Sequence, residues 1–367
     1  MKHLLFTFIF LLVFSIGNVR AQQAKNPLKD QGHKITKVQS KLIFEKAKRL
    51  PENAQLSIAI IQNGKVNYFG VKKVKDSLET IQNHQKVFEI GSITKVFTAT
   101  LLADFVTDEK LHLEDYINDY IDFPIKDDIQ FSFKQLATHT SGLPRVPESL
   151  SSPTLDLTNP YKDYDEEKLK RYLSEKLVLS ANPGEKSEYS NLGVGLLGFI
   201  LGEIDNSSYM DLVQTKIFDR YDMANSTTLR SRVADKLVIG LNDNGEEVSH
   251  WDLAVLMGAG GILSTTEDLT KFALAQFNRN DKVLAMTRMP FHKISDDFAT
   301  GLAWAIVKTE TDNTWYWHNG GTGGYTSAMI IDTESKIGVI VLSNISALGK
   351  LTNEVIKLCP ELMVTLE

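Results

Sequence analysis

Apolar and polar positions alternate near the start of the chain, after a stretch with the spacing of a helix. Apolar positions at helical spacing predict an amphipathic helix over 38–50, and two alternating runs predict strands over 56–61 and 65–71. Asn63-Gly64 lies between these runs, and this dipeptide favours the tight turn of a β-hairpin. The early part of the chain is therefore expected to supply one helix and two antiparallel strands.

The end of the chain shows a similar pattern. Four apolar or alternating runs predict strands, and a last periodic run predicts a closing helix. The strands are expected at 301–307, 314–318, 326–331 and 337–343, and the helix at 351–363. Both ends of the chain thus carry sheet-forming segments.

The middle of the chain, from 101 to about 277, has a mainly helical period, and Ser264 and Glu267 have the spacing of a capping box. The simplest architecture is an α/β (α+β) fold. An antiparallel sheet flanked by helices is built from both chain ends, 22–100 and 290–367, and a mostly helical region, 101–289, is inserted between them. A chain of 367 residues with 43% hydrophobic content can bury such a core as one unit.

Residues 1–21 have the features of a secretory signal. Lys2 gives a positive start, the apolar run 4–16 is too short to span a membrane, and Ala21 ends a segment similar to a cleavage site. We expect cleavage after Ala21 and an exported protein, either periplasmic or fully secreted. No later apolar run reaches the length of a membrane-spanning helix.

Composition excludes several functions. The formal net charge is −6 without a basic block, so nucleic acid is not expected as a partner. Cys359 is the single cysteine, so an intrachain disulfide cannot form, and the residue is expected to be buried in a helix. The histidines have no metal-ligand spacing, and neither a metal nor another cofactor is expected.

Ser92 and Lys95 are the strongest candidates for chemistry. Positions i and i+3 share one face of a helix, so the lysine amine can reach the serine hydroxyl and activate it as a nucleophile. The apolar residues that follow at helical spacing would anchor this helix in a core; they are Val96, Phe97, Leu101 and Phe105. The pair alone also arises by chance about once or twice in a chain of this size.

Two further motifs follow in order along the chain. They are Tyr189-Ser190-Asn191 and His318-Asn319-Gly320-Gly321. With Ser92 and Lys95, the chain resembles the serine β-lactamase and penicillin-binding protein superfamily, and within it the class C β-lactamases, DD-peptidases and related esterases. The likeness extends to the stretches 136–144 and 258–266, and so covers nearly the whole chain after the signal.

The resemblance implies a role for each motif residue, in a cleft where the helical region meets the sheet. Ser92 would form an acyl-enzyme, with its own backbone N–H and that of Gly321 as the oxyanion hole. Tyr189 would be the general base or proton relay, and its phenol, with an ordinary pKa near 10, would need cations such as Lys95 to lower that pKa. Asn191 would bind Lys95 and the substrate amide.

The third motif departs from the class C pattern, which has lysine followed by threonine or serine. His318 and Asn319 stand there, so a substrate carboxylate is expected to bind less firmly, and His318 is expected to titrate near pH 6.5. Gly320 permits close approach of substrate. The leading hypothesis is hydrolysis of β-lactams or of peptidoglycan-type D-alanyl peptides. An esterase, a D-amino-acid amidase and a penicillin-binding sensor without turnover are the alternatives.

Other candidate residues are better explained by structure. Tyr116 and Asn118 form a second Y-x-N, but in an ordinary loop or surface helix. His139 and Ser141 suggest a Ser-His pair, yet their segment matches a structural stretch of the family. Trp315 and Trp317 are expected to pack on one face of the sheet. The aperiodic run 143–161 is expected to be a solvated loop, with a substrate-covering loop as the alternative.

Overall fold

The structure is a computed structural model that describes residues 26–30, 35–152 and 154–367. The predicted signal segment, residues 1–21, lies outside the described residues. Within the part that is described, no helix is both long enough and apolar enough to cross a bilayer.

Eleven strands form two sheets in the described residues. The strands are β1 (Gln55–Gln62), β2 (Lys65–Val74), β3 (Ser77–Ile81), β4 (Val87–Glu89), β5 (Leu263–Thr265), β6 (His292–Lys293), β7 (Phe298–Thr300), β8 (Ala305–Lys308), β9 (Thr314–Gly321), β10 (Thr326–Asp332) and β11 (Ile337–Ser343). Nine of them make one sheet in the order β3-β2-β1-β11-β10-β9-β8-β7-β6, and β4 pairs with β5. All these pairings are antiparallel, and both chain ends contribute to the large sheet, as predicted.

Helices cover both faces of the large sheet. They are α1 (Lys37–Ala47), α2 (Thr94–Thr107), α3 (Phe133–Ala137), α4 (Glu166–Arg171), α5 (Asn191–Asp205), α6 (Tyr209–Val213), α7 (Thr266–Gln276), α8 (Lys282–Thr287) and α9 (Thr352–Val364). One apolar cluster, the first core, joins the sheet to α2, α5 and α7. A second core joins the opposite face to α1 and α9. The predicted α/β fold class is therefore confirmed.

Successive side chains of β1 belong alternately to the two cores, so one strand contributes to both. Ile58 and Ile60 belong to the second core, whereas Ala59 and Ile61 belong to the first. Successive side chains of a strand point to opposite faces, so an unbroken apolar run suits a strand that is covered on both sides. The predicted hairpin is also present, and both Asn63 and Gly64 have the positive φ angles that its turn requires.

Two local predictions differ from the structure. The predicted strand 301–307 begins only at Ala305, because the chain turns through Ala303, whose φ is 63°, and the Gly301 N–H bonds the Trp304 carbonyl. The predicted capping box at Ser264 is absent because Ser264 lies in β5. Its neighbour Thr265 caps α7 instead, by accepting the Asp268 N–H.

Two burial predictions are confirmed. Cys359 is fully buried in α9, and burial raises the pKa of its thiol, so it packs as an apolar side chain. Trp315 and Trp317 both pack against the second core, on one face of β9.

Candidate active site

Ser92 lies in a tight helical turn, Gly91–Ile93, between β4 and α2. Main-chain contacts on both sides hold the turn: the Ile90 N–H donates to the Ile262 carbonyl at 3.1 Å, and the Ile90 carbonyl accepts the Ser327 hydroxyl at 2.8 Å. The apolar helix α2 anchors it from below, because Val96, Phe97 and Leu101 are fully buried. The serine therefore stands on a rigid junction of helix and sheet.

Lys95 is fully buried and reaches three oxygen atoms. Its Nζ lies 3.1 Å from Ser92 Oγ, 2.9 Å from Asn191 Oδ1 and 2.6 Å from the Ala259 carbonyl. Burial lowers the pKa of this amine well below its ordinary value, and the nearby charge of Arg145 lowers it further. The ammonium form of Lys95 is thus less favoured here than in water.

A neutral Lys95 amine would satisfy the oxygen atoms around it. Asn191 Oδ1 and the Ala259 carbonyl can only accept hydrogen bonds, and a neutral amine has two N–H groups for them. The remaining lone pair then faces Ser92, whose hydroxyl can donate. In this arrangement Lys95 is placed to take the serine proton.

The second motif lies at the start of α5. Asn191 is the first residue of the helix, and Ser190 caps it by accepting the Gly193 N–H at 2.8 Å. The Asn191 amide also donates to the Tyr161 hydroxyl at 3.3 Å. Tyr189, just before the cap, is 36% exposed, and its hydroxyl hydrogen-bonds Ser92. The helix start thus brings the predicted Tyr189 and Asn191 to Ser92 and Lys95.

Tyr189 is held in its protonated form. Burial of the hydroxyl raises the pKa to about 12, and the hydrogen bond to Ser92 and the charge of Arg145 offset this only in part. The expected lowering of this pKa by Lys95 is therefore not supported. Tyr189 is suited to donate or relay a proton at neutral pH.

Strand β9 passes directly against the nucleophile turn. It pairs with β8 only from Thr314 to Trp317, so among the described strands none pairs with the edge of 318–321 that faces away from β10. A Cβ on Gly320 would lie 2.0 Å from the Ile90 carbonyl oxygen and 2.7 Å from the Ser92 nitrogen. A Cβ on Gly91 would lie 2.4 Å from the Gly321 nitrogen. These glycines allow the backbone N–H groups of Ser92 and Gly321 to approach each other.

His318 is buried and uncharged. It is 8% exposed, and its Nδ1 lies 2.8 Å from the Asn319 carbonyl, so Nδ1 carries the proton and Nε2 is left as an acceptor. Burial, followed by the charge of Lys95, lowers the His318 pKa to about 3. The expected titration near pH 6.5 is therefore not supported.

Asn319 points to the other side of the sheet. His318 pairs with Met329 of the first core, and Asn319 pairs with Ala328 of the second core. Because side chains alternate along a strand, the Asn319 amide faces away from Ser92. The predicted role of this amide in substrate binding has no geometric support.

We expect the imidazole resonances of His318 to stay constant between pH 5 and 8. Its pKa of about 3 keeps the ring neutral across this range. NMR of histidine-labelled protein would measure this, with His318→Gln to assign the signal and the urea-unfolded chain as a titrating reference. A midpoint near pH 6.5 in the folded protein would contradict the buried, neutral ring.

Several contacts around Tyr189 have no signal in the sequence motifs. The Arg145 guanidinium carbon lies 5.1 Å from the centre of the Tyr189 ring, and the His139 ring centre lies 4.5 Å from it. His139 Nδ1 accepts the Ser190 N–H at 3.2 Å. These contacts agree with a structural interpretation of His139, which supports the second motif. Arg145 was missed because it directly follows a motif whose residues were interpreted as structural.

The other candidate residues from the sequence, Ser141, Tyr116 and Asn118, make local structural contacts or lie at the surface. The Ser141 hydroxyl accepts the Leu143 N–H at 3.3 Å, so it serves the local turn. Asn118 donates to the Ile129 carbonyl, and Tyr116 is largely exposed, as expected of a surface loop. Within the described ranges, no group of three or more His, Cys, Asp or Glu side chains is arranged to hold a metal ion.

Comparison with known proteins identifies the fold and the family. A family model described as Beta-lactamase matches residues 46–355, which is most of the chain. The chain belongs to the β-lactamase family. This confirms the superfamily that the three motifs indicate.

Individual β-lactamase-family relatives are distant. Protein flp of Staphylococcus aureus is 26% identical over 79% of this chain and 59% of its own length. The chain thus spans about three fifths of that relative. A β-lactamase/D-alanine carboxypeptidase from Pseudomonas syringae is 21% identical, with a TM-score of 0.73 over 90% of this chain and 99% of its own. A class C β-lactamase is 21% identical, with a TM-score of 0.74 over 90% and 96%. At this identity the two structures show a shared fold.

Proposed function

We propose that this β-lactamase-family chain is a serine hydrolase that forms an acyl-enzyme at Ser92 and hydrolyses β-lactams or D-alanyl peptides. The observation that carries the proposal is the contact of Lys95 Nζ with Ser92 Oγ, Asn191 Oδ1 and the Ala259 carbonyl. It gives a nucleophile, a buried amine whose pKa is lowered, and acceptors that orient that amine.

In the proposed acylation, Ser92 Oγ bonds to the substrate carbonyl carbon, and its proton passes to Lys95. The developing oxyanion is held by the backbone N–H groups of Ser92 and Gly321. The C–N bond then breaks, and the protonated Tyr189 supplies a proton to the leaving nitrogen. Water releases the acyl group by attacking the same carbonyl, with Tyr189 and Lys95 returning to their first protonation states.

Intact mass spectrometry after addition of a penicillin and a cephalosporin tests this proposal. We expect an adduct of the mass of the opened drug on the native chain and none on Ser92→Ala. Drug loss with a transient adduct supports a β-lactamase, and a lasting adduct supports a penicillin-binding DD-peptidase or a sensor without turnover. An adduct that persists in Ser92→Ala contradicts nucleophilic attack by Ser92.

Ester or D-amino-acid amide hydrolysis is the second candidate function. It is favoured because the position that carries lysine in class C enzymes holds a neutral, buried imidazole here, and the following Asn319 amide points away. Hydrolysis of p-nitrophenyl esters by the native chain, but not by Ser92→Ala, without reaction with either drug would select this function.

We also propose export with loss of residues 1–21. Support comes from the positive start at Lys2, the short apolar run 4–16 and the small residue Ala21. The intact mass of protein recovered from the periplasm of an expressing bacterium would test it. A chain that begins at Gln22 is expected, and full-length protein confined to the cytoplasm contradicts export.

A further inference from the structure

Arg145 places an unpaired guanidinium at the candidate active site. Its side chain is exposed, and among the described residues no carboxylate lies within salt-bridge distance of it. Its Cζ nevertheless lies 5.1 Å from the centre of the Tyr189 ring, the tyrosine that hydrogen-bonds Ser92. The charge of Arg145 also acts on Lys95 and on Tyr161. This arginine is therefore close to the reacting groups without an ionic partner.

The main chain at Arg145 is fixed to the second motif. Its carbonyl accepts the N–H groups of Asn191 at 2.8 Å and Leu192 at 3.1 Å, at the start of α5. The preceding carbonyl, of Pro144, accepts the Ser190 hydroxyl at 2.7 Å. Pro144 and Pro147 restrict the backbone on either side. The guanidinium thus projects from a segment whose main chain is hydrogen-bonded to the start of α5.

Three other basic side chains of the site motifs and their neighbours are not free to bind a substrate anion. Lys95 is fully buried and engaged with three oxygen atoms. His318 is neutral, with its Nδ1–H donated to the Asn319 carbonyl. Lys186 pairs with Glu188 at 2.6 Å. Arg145 differs from all three, because it is permanently charged, exposed and unpaired.

We propose that Arg145 binds a carboxylate of the substrate beside Ser92, so that the preferred acyl donors of this chain are anionic. A guanidinium presents a planar fork of N–H donors, which can hold a carboxylate through two parallel hydrogen bonds. This inference rests on the proposed acyl-enzyme function and names the substrate class. The resemblance to class C enzymes would instead assign the substrate carboxylate to the third motif, which contains His318 and Asn319.

Two matched pairs of esters locate the carboxylate. The first pair is the p-nitrophenyl esters of butyric and glutaric acid, which differ by an anion on the acyl side. The second pair is the phenylacetyl esters of phenol and of 3-hydroxybenzoic acid, which differ by an anion on the leaving group. The readout is the ratio of kcat/KM for the anionic ester to that for the neutral ester in each pair.

Arg145→Gln is expected to lower this ratio about 10-fold in one of the two pairs, as for the loss of a charge-assisted hydrogen bond. Arg145→Lys should give an intermediate ratio, because it keeps the charge and loses the fork. Arg171→Gln is the matched control. Arg171 is an exposed arginine on α4, so the same change in net charge should leave both ratios unchanged.

Equal loss of kcat/KM for the neutral and anionic members of both pairs would overturn the proposal and leave the Ser92 mechanism standing. Binding of phenylboronic and 3-carboxyphenylboronic acid, which add reversibly to a nucleophilic serine, extends the test to an enzyme that turns over no ester. Arg145→Gln should then weaken binding of the carboxylated boronate only. An equal effect of Arg145→Gln on the affinities for the two boronates would overturn the proposed role of Arg145. Boronate binding that is unchanged in Ser92→Ala would instead contradict the acyl-enzyme function.

Discussion

Lys95→Met is expected to lower kcat/KM for any accepted substrate by about 10⁴-fold, the upper range for removal of a positioned base. Methionine keeps most of the side-chain volume and removes the amine that contacts Ser92 Oγ, Asn191 Oδ1 and the Ala259 carbonyl. Ser92 would then have no neighbour placed to take its proton. Steady-state kinetics with the best substrate measures the loss.

The double variant Ser92→Ala/Lys95→Met provides a sharper test. Because the two groups act as one unit, the double variant should be no slower than Ser92→Ala alone. Multiplicative losses would mean that Lys95 acts independently of the serine.

Thr98→Val is the control for stability at the same place. Thr98 lies one turn further along α2, is buried, and donates to the Gly258 carbonyl at 2.7 Å, next to the carbonyl that Lys95 contacts. Valine removes that bond without touching the reacting groups, so we expect a lower Tm and kcat/KM within a few-fold of the native value. If Thr98→Val and Lys95→Met lose activity equally, the effect belongs to packing of the segment 258–259.

Gly320→Ala is expected to lower the free energy of unfolding by about 3 kcal/mol and kcat/KM by about 10²-fold or more. The added Cβ would lie 2.0 Å from the Ile90 oxygen and 2.7 Å from the Ser92 nitrogen, both of them main-chain atoms that cannot rotate away. Strand β9 must therefore separate from the nucleophile turn. Urea unfolding and kcat/KM measure the two effects.

Gly193→Ala is the matched control for this substitution. Gly193 lies in α5, and the nearest atom to a Cβ there would be the Ser190 hydroxyl oxygen at 3.4 Å. Alanine favours a helix over glycine by up to about 1 kcal/mol, so stability should stay equal or rise. Native kcat/KM in Gly320→Ala would mean that β9 does not lie against Ser92 in solution.

Prediction from sequence worked where the determining interactions are local. The spacing of Ser92 and Lys95 fixes their shared face through helix geometry, whatever the rest of the chain does. The dipeptide Asn63-Gly64 suits the positive φ angles of its turn, and the apolar run of β1 is what a strand covered on both faces requires. Local predictions were wrong where a contact with a distant residue replaced the predicted local one. The predicted capping box at Ser264 is an example, because the Ser264 hydroxyl hydrogen-bonds the Ser226 hydroxyl.

The electrostatics of the site could not be predicted in this way. Sequence reasoning expected nearby cations to lower the pKa of Tyr189 and gave His318 its ordinary pKa, whereas burial raises the first to about 12 and lowers the second to about 3. Desolvation depends on every atom that surrounds a group, and those atoms come from distant parts of the chain. The Ala259 carbonyl that contacts Lys95, 164 positions away, is one example.

Sequence alone was enough to predict the order and spacing of the motifs, the hairpin, and the sheet-forming character of both chain ends, because each follows from periodicity or the geometry of a few adjacent residues. Which groups are charged, and where they point, depends instead on tertiary packing. It neutralises His318, turns Asn319 away and leaves Arg145 unpaired beside Tyr189. Charge and direction at a site depend on burial and on strand register, and both exist only once the separate segments have packed together.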